Sequence, residues 1–113
     1  MYELRHYIDS EGQDVFAHWL DHLQDRVAQA RIAVRLLRLQ NGNFGDCKPV
    51  GSGVWELRVD WGPGYRVYYA IAGKQTVLLC EGGDKRTQSK ALHAQFSAGT
   101  NGKQGAIDEN VRQ

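Results

Sequence analysis

Arg58, Arg66, Lys85 and Arg86, with Glu56 just ahead of them, recur along residues 54–86, which read VWELRVDWGPGYRVYYAIAGKQTVLLCEGGDKR. Guanidinium groups hold a phosphate in bidentate fashion and favour the charge that builds on a phosphorane-like transition state. A 2′-hydroxyl attacking its own phosphate needs only a base and an acid in addition. Arg58, Arg66 and Arg86, near a carboxylate and several tyrosines, therefore suit metal-free cleavage of RNA. A plainer role is open to each: Glu56 and Arg58 can form an ion pair, and Lys85 and Arg86 can simply open a helix. Other chemistries find no support. There is no Gly-rich phosphate loop and no GxSxG elbow. His18 and His22 lie four apart but have no third ligand nearby, and they read as surface histidines. Cys47 and Cys80 have neither CxxC spacing nor metal-ligand neighbours and read as free thiols. Neither a metal nor another cofactor is expected.

These side chains must be positioned by an antiparallel meander. Three short runs rich in Val, Tyr, Trp, Leu and Ile are separated by the turns Trp61-Gly62-Pro63-Gly64 and Ala72-Gly73-Lys74. The period of two puts Glu56, Arg58 and Asp60 on one face of the first run. In the second, Tyr65, Val67, Tyr69 and Ile71 share a face and leave Arg66 and Tyr68 on the other. Glu56, Arg58 and Arg66 are thus expected to converge. The third run, Gln75 to Cys80, is apolar enough to lie at the buried centre of the sheet.

Ahead of the meander, Met1 to Ile8 alternates loosely and predicts a strand. Asp9 or Ser10 can cap a helix over about residues 11–24, whose stripe is Val15, Phe16, Trp19, Leu20 and Leu23. Asp25 opens a second helix closing at Asn41-Gly42. Its broad apolar face joins Val27, Ala30, Val34 and Leu37 to Ile32, Leu36 and Leu39. Arg26, Arg31, Arg35 and Arg38 form a ridge beside it, which reads as a solvated face that could also bind RNA or an acidic partner. Asn43 to Gly53 is a loop by composition, with Lys48 at its exposed end. From Asp84 a final helix is expected, and from about residue 99 a polar, disordered tail. The fold class is α+β: an N-terminal strand and a two-helix hairpin packed on one side of a mostly antiparallel four-stranded sheet, then a short C-terminal helix. The other side of the sheet is expected to stay open and carry the charges.

The 113 residues, 42% apolar and 24% charged, bound a single small domain. The formal net charge of +1 conceals a gradient: residues 1–47 carry five Lys/Arg against seven Asp/Glu, and residues 48–90 carry seven against four. That bias fits a phosphate-bearing partner but falls well short of a general DNA binder. No apolar run approaches the roughly 20 residues of a membrane span, and the opening MYELRHYIDS lacks the layout of a signal peptide. A cytoplasmic location without membrane contact is the expectation.

The segment WELRVDWGPGYRVYY, followed by LLCEGGDKRTQ, resembles the RelE/ParE superfamily of type II toxin–antitoxin modules. Within it the chain is most similar to putative addiction module killer proteins, related to phage Gp49-like and HigB-like toxins. The resemblance covers residues 1–98, as one toxin domain, and leaves 99–113 outside. It implies a ribosome-dependent mRNA endonuclease that inhibits translation and generates a 2′,3′-cyclic phosphate. Arg66 would bind the scissile phosphate, Arg86 with Lys85 would stabilise the developing charge, and Arg58 would assist from the preceding strand. Glu56, on the same face, becomes the candidate base. Lys48, Tyr68, Lys90 and His93 would contact substrate; relatives often place a Tyr or His where this chain has Leu92 and His93. The implied partners are the ribosome, mRNA and a cognate antitoxin of helix-turn-helix type. The superfamily also contains gyrase poisons of the ParE type, which lack nuclease chemistry, and a decayed toxin would keep only antitoxin binding.

Overall fold

The computed structural model describes residues 1–84 and 111–112. In chain order they form β1 (Glu3–Tyr7), α1 (Val15–Asp21), α2 (Arg26–Gln40), β2 (Cys47–Gly51), β3 (Val54–Val59), β4 (Tyr65–Ile71), β5 (Thr76–Asp84) and β6 (Val111–Arg112). The strands lie side by side in the order β2-β3-β4-β5-β1-β6. All pairings are antiparallel except that of β1 with β5. The class is α+β, and β5 is central as its apolar run implied.

The sheet is larger than the four strands read from the sequence. Cys47–Gly51, taken as loop, is an edge strand paired with β3. Its Pro49 is tolerated because an edge strand leaves one side of its backbone unpaired. The reversal into β3 uses Gly51, Ser52 and Gly53, all with positive φ, and this turn chemistry is what disguised the strand. β5 also runs on through Gly82 and Gly83 to Asp84, where the sequence suggested a break and a helix start. Gly82 is there for packing: a Cβ on it would come within 2.0 Å of the Trp19 indole. The rest of the expected C-terminal helix, and most of the 99–113 tail, fall outside the described residues; Val111–Arg112 pair with His6 and Tyr7 of β1.

Both helices cover one face of the sheet. α1 is shorter than its apolar stripe suggested, because Asp14 rather than Asp9 or Ser10 is its cap and accepts from the Ala17 amide at 3.0 Å. Asp9 instead closes the preceding loop by accepting from the amides of Glu11 and Gln13. Asp14 also meets His6 Nδ1 at 2.7 Å, so the start of α1 is tied to β1. α2 begins and ends as read: Asp25 accepts from Val27 and Ala28 amides, and Asn41 is the C-cap. Phe16, Ala28, Ile32, Leu36 and Leu39 meet Leu57, Val67, Tyr69, Val77 and Leu79 in the main core. Gln29 donates to the Leu20 and Leu23 carbonyls at 2.9 and 3.2 Å, fastening α2 to the end of α1.

The opposite face is not uniformly charged. Val54, Tyr68, Ala70, Leu78 and Cys80 form a second buried cluster there, joined by Tyr7, Val50 and Ala72. The charges occupy the β3–β4 end of that face.

Candidate functional site

Alternation along β3 and β4 brings Glu56, Arg58 and Arg66 to one place. The strands pair so that Arg58 faces Arg66 directly and Glu56 faces Tyr68. Glu56 Oε1 lies 3.0 Å from Arg58 Nε, which donates to it, and 3.5 Å from Arg66 Nε. The side chains are 13, 32 and 19% exposed for Glu56, Arg58 and Arg66, so the guanidinium groups sit partly sheltered from water, where their charge is least screened. Lys48 joins from β2, opposite Glu56, and is exposed. Like charges set directly across an antiparallel pair repel. Glu56 is the carboxylate that pairs with both Arg58 and Arg66, and Lys48 adds a third cation beside it.

The backbone carrying Arg58 is held from behind. Arg35 of α2 reaches the Arg58 carbonyl with Nη1 and the Phe44 carbonyl with Nη2, the latter at 3.1 Å. The Arg58 amide donates to the Asp46 carbonyl at 2.9 Å. Arg35 is thus not part of a uniformly solvated ridge; it is a tie between α2 and the end of β3. Gly45 is required beside it, since a Cβ there would lie 2.8 Å from the same guanidinium, at a φ of +67°. Asp60 shares the parity of Glu56 and Arg58 but lies past the end of β3, where it lines a groove against α2.

Tyr68 is 2% exposed and belongs to the second cluster. Burial raises its pKa, and the neighbouring Glu56 charge raises it further, so the phenol keeps its proton. Glu81, which the sequence reading passed over, lies across from Tyr68 on β5. The register shifts by one residue here, because Tyr68 pairs with Glu81 and Tyr69 with Leu79. That bulge at Cys80 re-aims Glu81 toward the face of Arg66 and Tyr68. Its pKa is raised by burial. An acidic residue followed by two glycines at the end of an apolar strand was the available sign of such a bulge. Lys85, Arg86, Lys90 and His93 lie outside the described residues. Among the described residues no group of three or more His, Cys, Asp or Glu side chains could hold a metal.

A small α+β domain with a partly sheltered, positively biased Arg–Glu–Arg cluster on the sheet face away from its helices is the class these observations define. The chain belongs to the family described as phage-derived protein Gp49-like (DUF891), which it matches over residues 18–98. That family is associated with toxin–antitoxin addiction modules. An uncharacterized protein of Haemophilus influenzae is 51% identical over 77 residues, covering 68% of this chain and 78% of the relative.

Proposed function

We propose that the protein is the toxin of a type II toxin–antitoxin module of RelE/ParE, HigB-like kind, and that it cleaves mRNA on the ribosome without a metal. The observation that carries this reading is the direct opposition of Arg58 and Arg66 with a single shared carboxylate. Such an arrangement is electrostatically unfavourable by itself and is relieved by an anionic ligand bridging the two guanidinium groups. In the reaction, Glu56 leaves its arginine partners and takes the proton of the 2′-hydroxyl. The 2′-oxygen attacks the adjacent phosphorus and the bond to the 5′-oxygen breaks, giving a 2′,3′-cyclic phosphate and a 5′-hydroxyl. Arg58 and Arg66 stabilise the charge that gathers on the phosphoryl oxygens. Glu81, whose burial favours its protonated form, is the described carboxyl best suited to return a proton to the 5′-oxygen. Lys85 and Arg86, following β5 directly, are assigned to the same phosphate, Lys48, Lys90 and His93 to flanking RNA. The ribosome supplies substrate positioning that so sparse a set lacks. A cognate helix-turn-helix antitoxin is the inhibitory partner, and the cytoplasm is the place of action.

The test is primer extension on a reporter mRNA in a cell-free translation system, with ribosomes present or absent. Wild-type protein should cut only with ribosomes, and Arg66→Ala should lose at least about a hundredfold in cutting, as expected for removing a transition-state donor. Intact mRNA in the presence of a protein that still arrests growth would reject the nuclease and favour a gyrase poison. Arg66→Glu adds a second separation: charge reversal should abolish toxicity by RNA cleavage and leave a helix-mediated gyrase contact nearly untouched.

A further inference from the structure

α2 carries two apolar lines, and the fold uses one of them. Ala28, Ile32, Leu36 and Leu39 are buried against the sheet. Val27, Ala30, Val34 and Leu37 recur at the same helical spacing on the other side and are exposed, Val27 by 48%, Val34 by 47% and Leu37 by 59%. A helix of a small soluble domain normally places polar residues there. A line of apolar side chains rimmed by charge is the mark of an interaction surface.

The rim is mostly basic. Arg31 and Arg38 border the exposed line, and a groove of ≈ 450 Å³ runs from it past the inward-tied Arg35 to the end of β3. Arg31 is held at that rim by its guanidinium lying 4.1 Å above the Trp61 ring. Trp61 in turn donates its indole N–H to Asp25 Oδ2 at 3.0 Å. That bond is the main reason the Asp25 pKa is lowered, which favours its charged form. Asp60 is the one carboxylate among the groove residues.

We infer that this face of α2 receives an amphipathic helix of a partner protein, whose apolar side chains lie along Val27, Ala30, Val34 and Leu37 and whose flanking Asp and Glu pair with Arg31 and Arg38. Charge complementarity selects this occupant. A second copy of the chain would set arginine rims against each other. RNA would take the arginines but leave the apolar line in water, where burial of each large aliphatic side chain is still to be gained. α2 spans 15 residues, so a partner helix of about four turns matches its length. The surface belongs to a different part of the molecule from the Arg58–Arg66 pair and does not depend on the reaction proposed for it.

The probes are two lactam-stapled, fluorescein-labelled helical peptides of about four turns. Both carry one leucine stripe, flanked in one by Glu and in the other by Lys, and binding is read by anisotropy. The Glu-flanked peptide should bind at least about tenfold more tightly. Val34→Asp or Leu37→Asp should each weaken it by about tenfold or more, with the circular dichroism spectrum unchanged. The double charge reversal Arg31→Glu, Arg38→Glu should turn the preference toward the Lys-flanked peptide. Arg66→Ala should bind like wild type. Equal binding of both peptides, no binding of either, or indifference to Val34→Asp overturns the proposal. So does displacement of the Glu-flanked peptide by a short single-stranded RNA, which would assign the face to nucleic acid. A mass that doubles at micromolar concentration and reverts in Val34→Asp would assign it to a second copy instead.

Discussion

The two faces of the sheet are built from alternate residues of the same strands, yet they hold different things. On the helix side, Leu57, Val67, Tyr69, Val77 and Leu79 are all essentially closed to water beneath Phe16, Ile32 and Leu39. On the other side, the neighbours of those residues in sequence, Glu56, Arg58 and Arg66, form a charged cluster beside a smaller apolar one. The contrast separates two duties. Stability is concentrated where side chains interdigitate across layers, and the opposite face is free to set like charges together because it contributes less to holding the chain folded.

The largest effect should come from breaking the helix side. Phe16 is 1% exposed and meets both His6 and Trp19, so Phe16→Ala should lose about 3–5 kcal/mol in urea or thermal unfolding. Arg66→Ala should change stability by no more than about 1 kcal/mol. Comparable unfolding free energies lost in the two variants would mean the division between faces is false.

Next in size is Gly82→Ala, which places a methyl group inside the space of the Trp19 ring and should lose about 1–3 kcal/mol by overpacking. The same substitution made together with Trp19→Leu should be milder than the sum of the two single changes, because the clash partner has gone. Strict additivity in a double-mutant cycle would show that α1 does not rest on Gly82.

The smallest effect is a pH dependence that sharpens the contrast. Burial raises the Glu81 pKa, so the folded chain keeps this proton to higher pH than the unfolded chain does. The associated stability is complete below the unfolded carboxylate value, about pH 4, and is lost as pH rises through the folded one. Glu81→Gln should therefore gain stability over wild type at pH 7 and not at pH 4. Equal gains at both pH values would locate Glu81 in solvent, away from the second cluster.

Several features are legible in the sequence alone. Period-two alternation is a local property of the extended chain, so Glu56, Arg58, Arg66 and Tyr68 could be assigned to one face from their parity. Asp25 and Asn41-Gly42 bracket α2 because capping is decided within a turn of backbone. Val77, Leu78 and Leu79 mark the central strand because both of its faces are covered. The same local rules misread Cys47–Gly51, where turn-forming residues belong to a strand that exists only by pairing with β3. They also stopped β5 at Cys80, since nothing in Glu81-Gly82-Gly83 announces that an indole needs the space.

By itself, then, the sequence determined the strand parity, the helix ends and the sign of charge on the meander, all of which arise from neighbours within a few residues. Only the tertiary structure decided that Arg58 stands opposite Arg66, that the bulge at Cys80 sets Glu81 across from Tyr68, and that Arg35 points inward. It also chose which apolar line of α2 the core takes. Register and the choice between two helix stripes are settled by contacts between segments far apart in the chain, and such contacts have no local signature.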